Sequence, residues 1–162
     1  MIRIHLFDLG GGKTRRVYEN LVPVGTLRRG DNTNQDRASN QLVQFFLRKF
    51  FASRPGLMPP AKGKGFLLDG KVGPQTVEGI HAFQVFAGRS GIPLFDDSRV
   101  SVPTGINVPG TQMRWTIHGL NSFALPVLGE REFNRLFANP EIQKEAPELA
   151  AELVREEQLL RS

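Results

Sequence analysis

Apolar and polar residues alternate at the start of the chain. Ile2, Ile4 and Leu6 fall on one side, and Arg3 and His5 on the other. A period of two is the mark of a half-buried strand. Asp8-Leu9-Gly10-Gly11-Gly12 is turn material, because glycine accepts backbone angles that other residues resist. Residues 14–24 supply a returning strand or an irregular arm, so residues 1–24 are expected to form a β-hairpin. The period then changes. After the polar residues 25–34, Leu42, Val43, Phe46, Leu47, Phe50 and Phe51 recur at helical spacing. Asn34 or Asp36 can cap this helix, and Arg54-Pro55-Gly56 lies beyond its end.

Residues 55–65 hold three Pro, three Gly and two Lys and read as an exposed loop. A short apolar run, Phe66-Leu67-Leu68, is closed by Asp69-Gly70. Gly73-Pro74 then opens a second helix, since proline in a first turn forfeits no hydrogen bond. Val77, Ile80, His81, Phe83, Gln84 and Ala87 keep the helical rhythm until Gly88–Gly91. Residues 92–110, with Pro93, Pro103 and Pro109, are expected to form a long surface loop with a short extended piece over 98–102. A third helical pattern begins at Gly110-Thr111, with Met113, Trp115 or Thr116, Ile117, Leu120 and Phe123 apolar, and Pro126 marks its expected end. Two more helices are expected, over 130–138 and 147–160. The predicted fold is mainly α: a three-helix core with a small N-terminal β-hairpin and extra C-terminal helices. The corresponding segments are a hairpin arm at 1–24, a helical domain at 25–125 and a C-terminal extension at 126–162.

The stretch from Leu68 to Gln84 contains Asp69-Gly70, two residues, Gly73-Pro74, one residue, Thr76, and a helix ending in Phe83-Gln84. This resembles the signature of three-helix peptidoglycan-binding domains. The helix over 36–53 takes the place of that family's first helix, and Gly110-Thr111 through Leu120-Asn121 resembles its closing one. The loops at 54–66 and 88–110 are long for the family, and the hairpin and C-terminal helices lie outside its core. The landmarks have local physical roles as well. Gly70 permits a positive φ in a tight turn, Thr76 can bond free amides of the first turn, and Gln84 can bridge back to loop backbone. The resemblance implies a peptidoglycan-binding-domain-like core and non-catalytic binding of a bacterial cell-wall glycan or stem peptide. By nearness to the motif, Asp69, Lys71, Gln75, Gln84, Arg89, Arg114 and Trp115 are the binding candidates. The rival expectation is an adaptor of a phage particle or bacterial secretion machine, reusing such a fold for contacts with another protein.

Composition narrows the chemistry. A net charge of +5 suits an anionic partner, but Arg15-Arg16, Arg28-Arg29, Arg48-Lys49 and Lys62–Lys64 are scattered. No block of Lys and Arg interleaves with aromatics, so no nucleic-acid partner is expected. The absence of cysteine excludes disulfides, thiolate nucleophiles and Cys-ligated metals. The first residues carry no apolar run of signal-peptide length, and no stretch approaches a membrane span. The expectation is a leaderless protein, held in the cytoplasm or delivered to the wall by a phage or secretion system.

Gly10-Gly11-Gly12-Lys13-Thr14 resembles part of a phosphate loop, but the full pattern needs glycine where Phe7 stands, and a hairpin turn explains the run. His5, His81 and His118 show no zinc spacing and are expected to be packed or surface side chains. Asp96-Asp97 and Glu130/Glu132 are carboxylate pairs without a visible cleft, and Asp96-Asp97 reads as a solvated turn. Trp115, the one Trp, sits at helical spacing in the third pattern and is expected in the core more than on a sugar face. Neither a paired nucleophile and base nor a cofactor motif is found, so neither enzyme activity nor a cofactor or metal is expected.

Overall fold

Strands β1 (Ile2–Gly10) and β2 (Lys13–Asn20) form the antiparallel hairpin that the alternating start predicts. Ile2, Ile4 and Tyr18 are buried. Leu6, expected beside them, is 42% exposed, because the hairpin extends past the core. The computed structural model describes residues 1–30, 36–57 and 66–162. Among these, six α-helices follow the hairpin, so the chain is mainly helical: α1 (Arg37–Ala52), α2 (Pro74–Arg89), α3 (Thr116–Leu128), α4 (Glu130–Asn134), α5 (Pro140–Glu145) and α6 (Pro147–Arg161). A second antiparallel pair joins β3 (Val24–Gly25) to β4 (Arg99–Val100), within the extended piece expected at 98–102. No helix among the described residues is long and apolar enough to cross a membrane.

Asp36 is the cap of α1, accepting from the Ser39 amide at 3.0 Å. Asn34, the other expected cap, and residues 58–65 of the expected loop lie outside the described residues. The inner face of α1 is apolar, yet it also buries Asn40 and Gln44. These two amides clasp the turn that precedes α2. Asn40 donates to the Gly70 carbonyl at 2.8 Å, while Gln44 accepts from the Gly70 amide at 3.0 Å and donates to the Lys71 carbonyl at 2.9 Å. Gly70 has φ +73, as the turn requires. Thr76 makes no capping bond among the described residues. Its buried hydroxyl accepts from Gln44 at 3.4 Å, and Gly73 is the N-cap of α2.

Three helix boundaries differ from expectation. The third helix starts at Thr116, not at Gly110-Thr111. The Arg114 amide is drawn to the Pro93 carbonyl at 2.8 Å, and Arg114 bridges both Leu94 and Asn107, so the chain stays extended up to Trp115. The same helix continues through Pro126 to Leu128. Proline there removes one bond in the last turn, and the Gly129 amide still reaches the Leu125 carbonyl at 2.9 Å. The helix expected over 130–138 is broken into α4 and a 3-10 turn, Leu136–Ala138. It is followed by α5, whose start follows the rules: Asn139 accepts from the Ile142 amide at 3.1 Å and Pro140 opens the first turn.

Buried residues from the hairpin, α1, α2, α3 and the C-terminal helices belong to one cluster running from Ile2 to Leu153. Phe50 of α1 lies at its centre, 4.9 Å from Phe83, 5.3 Å from Phe86 and 5.5 Å from Phe123, all edge-on. The hairpin is bound into this body by side chains that take its outer-edge backbone groups. The Ile2 and Ile4 amides donate to Glu152 and Glu156 of α6, each at 3.2 Å. On the opposite edge, Asn121 of α3 accepts from the Tyr18 amide and donates to the Tyr18 carbonyl, both at 2.8 Å. These contacts satisfy groups that an edge strand otherwise leaves open.

Candidate functional site

The expected binding residues separate along α2. Asp69 and Lys71 stand in the turn before it and Gln75 in its first turn, while Arg89 is its last residue. At 1.5 Å per residue the two ends of this helix are about 20 Å apart, too far for one small ligand. Asp69 is occupied locally: its carboxylate accepts from the Lys71 amide at 2.9 Å and from Gln44 at 3.2 Å. Lys71 and Arg89 are exposed.

Gln84, Arg114 and Trp115 do converge. Gln84 is only 1% exposed, and its amide is consumed within the protein. Its oxygen accepts from the Ser98 amide at 2.9 Å, while its nitrogen donates to Asp97, the Arg99 carbonyl and Thr116 at 3.1, 3.0 and 3.0 Å. It therefore holds the loop and faces no solvent ligand. Ser98 needs holding, because its φ of +56 is uncommon for a residue with a side chain. The Ser98 carbonyl in turn accepts from the Thr26 amide at 3.0 Å. Gly25, next to Thr26, has φ +102, and an added Cβ there lies 2.5 Å from the Ser98 oxygen, so only glycine permits this approach.

The loop so fixed forms one wall of an open cleft of about 350 Å³. Trp115 and Phe95 supply aromatic surface, and Arg28, Arg99, Arg114 and Asp97 supply charge. Asp97 is more than a solvated turn residue, since it also accepts from Arg28 at 2.6 Å. Arg99 donates to Ser101 at 2.9 Å. Trp115 is 8% exposed, and its Nε1 has no hydrogen-bond partner among the described residues. Phe95 is 43% exposed, so it is the aromatic face open to a ligand. The exposed Arg114 side chain has no ion pair with a described residue. His81 sits at the surface with its Nδ1 2.6 Å from Asp96.

Arg114 also lines a second pocket, of about 290 Å³, between the hairpin and α3. Beside it is a polar cluster absent from the sequence expectations. Glu19 is 1% exposed and accepts from Arg3 at 2.7 Å and from His118 Nε2 at 2.5 Å, with His5 Nδ1 at 3.3 Å. A carboxylate only accepts, so His118 carries its proton on Nε2. Burial by itself raises the Glu19 carboxyl. The hydrogen bonds and charges of His118 and Arg3 outweigh that and hold it below the ordinary carboxylate range. Sequence offered no means of joining His5, Glu19 and His118, because strand pairing and the seating of α3 bring them together. Among the described residues no group of acidic and histidine side chains is arranged to hold a metal ion.

The lowered Glu19 carboxyl carries a sign for stability. A folded-state value below the unfolded value of ~4.3 contributes stability above that pH and loses it as pH falls through the folded value. The stability gap between the native chain and Glu19→Gln is expected to be full at pH 6 and to shrink below about pH 4.3. Urea titrations at several pH values measure this gap. A gap that widens on acidification contradicts the assignment.

No family model, no curated protein and no solved structure matches this chain.

Proposed function

We propose that this protein is a non-catalytic binding module for bacterial peptidoglycan, built on a three-helix core like that of the peptidoglycan-binding domains. The observation that carries the reading is the Trp115 cleft. It sets an exposed aromatic ring, Phe95, beside arginines and the Asp97 carboxylate. Aromatic faces pack against the apolar side of a sugar ring, and forked guanidinium groups pair with carboxylates such as those of muramyl and stem-peptide groups. The motif at 68–84 supports the reading indirectly. Its last residue, Gln84, braces the cleft wall, and its turn is clasped by α1. The partner is the glycan or stem peptide, and the bacterial wall or a phage particle acting on it is the setting.

Pelleting with purified insoluble peptidoglycan tests this. Binding above that of a control protein of equal charge is expected at ~0.15 M salt, where exposed charge attraction is screened beyond about 8 Å. Phe95→Ala with Arg114→Gln is expected to weaken binding by more than about tenfold, since a charged hydrogen bond alone is worth about that much and a stacking contact is lost with it. No pelleting above the control overturns the proposal, and a fall in wall turbidity overturns its non-catalytic part. A second reading, an adaptor for another protein, draws on α6, where Val154, Leu159 and Leu160 are exposed. A soluble partner captured through α6, with no wall pelleting, favours it.

A further inference from the structure

The pocket between the hairpin and α3 has a polarity of its own. Its floor is apolar: Val17 and Phe133 are buried, and Leu125 is half-buried. Phe7 closes one side and is fixed twice, stacked on His5 at 4.1 Å between ring centroids and edge-on to His118 at 5.6 Å. The His118 ring cannot swing, because Glu19 holds its Nε2. Two exposed arginines, Arg15 of β2 and Arg114, line the same pocket, and neither pairs with a carboxylate among the described residues. Arg16 is different, being tied to Glu157. One acid, Asp8, is present, and its carboxylate already accepts from the Gly10 amide at 2.8 Å.

This combination selects a ligand class. Two uncommitted guanidinium groups favour a planar oxyanion that can accept paired hydrogen bonds. The apolar floor requires that an aliphatic group sit within a bond or two of that anion. A peptide C-terminus meets both demands, since the terminal carboxylate and the last side chain leave the same carbon. The volume of about 290 Å³ suits one or two small residues. We infer that this pocket binds the carboxylate end of a peptide whose last residue is small and apolar. The hairpin supplies half of the site, which gives that element a role beyond packing. The pocket shares only Arg114 with the lining of the Trp115 cleft. Arg15→Gln therefore tests it without touching wall binding through the cleft.

The experiment titrates the full chain with acetyl-Ala-Ala in its L,L and D,D forms, and with the matching C-terminal amides, following backbone amide NMR shifts. Saturable shifts around Phe7, Arg15 and Ser122 with at least one acid are expected. Loss of the carboxylate, or Arg15→Gln, is expected to weaken binding about tenfold or more, the size of a lost hydrogen bond between charged groups. Leu125→Trp, which fills the floor, is expected to do the same. A preference for the D,D form assigns the ligand to a wall stem peptide, and a preference for the L,L form to a protein tail. The inference is overturned if neither acid gives saturable shifts, if the amides bind equally well, or if Arg15→Gln has no effect. Wall pelleting that survives such a failure leaves the cleft proposal standing and removes only this one.

Discussion

Phe50→Ala is expected to lower stability by about 3–5 kcal/mol, the usual cost of emptying a buried phenylalanine site. Phe50 is fully buried, and its ring meets Phe51, Phe83, Phe86 and Phe123 at centroid distances of 4.9 to 5.5 Å. Those partners come from α1, α2 and α3, so the surroundings cannot close the cavity without moving whole helices. The Arg54 guanidinium also lies 4.8 Å from the ring centroid and loses that face. At roughly 2–4 °C per kcal/mol for a chain of this size, the melting temperature is expected to fall by roughly 6–20 °C. Urea unfolding of native and variant chains measures it, and a loss below about 1 kcal/mol shows that the aromatic cluster is not the centre of the core.

Asn121→Ala is expected to have the second largest effect, and of a different kind. It removes little apolar area but strands the Tyr18 amide and carbonyl, both buried, along with its bond to the Ile117 carbonyl. Each buried polar group left without a partner costs about 1–3 kcal/mol, so a loss of about 2–5 kcal/mol is expected. The damage should be local first. Hydrogen exchange at the Tyr18 amide and across β2 is expected to rise more than exchange in α1, because Asn121 ties the hairpin edge to α3. The pocket between hairpin and α3 shares this hinge, so the carboxylate peptide is expected to bind this variant more weakly. Uniform acceleration of exchange across all elements contradicts the view that Asn121 acts as a local clasp.

The two predictions bracket what was readable in advance. Phe46, Leu47, Phe50 and Phe51 announce a buried helix face by spacing alone, and Gly73-Pro74 announces the start of α2. The positive φ of Gly70 and the alternation of Ile2 and Ile4 were readable in the same way. Each is a local property, written in periods of 3.6 or 2 and in residues with special backbone freedom. Thr111 and Met113 fit a helical rhythm, yet α3 starts only at Thr116. Bridges from Arg114 to Leu94 and Asn107, invisible in the sequence, hold that stretch extended.

For the site the balance is reversed. Of the residues chosen by nearness to the motif, Asp69, Lys71 and Arg89 lie apart, and Gln84 is spent on the loop at 97–99. Gln84 does bridge to loop backbone, and its target lies in the long segment after α2. Arg114 and Trp115 fall at a cleft because Gln84, Thr26 and Arg99 fold that segment beside them. Arg3 and His5 show only as the polar side of a strand, and nothing in the sequence joins them to Glu19 and His118.

The sequence by itself determined the turn of the hairpin, the starts of α1 and α2 and the apolar face of α1, since those depend on neighbours a few residues away. The tertiary structure decided which polar side chains are spent on backbone groups and which remain at an opening. That choice depends on contacts between residues 103 apart, such as Asn121 and Tyr18, which no local period encodes.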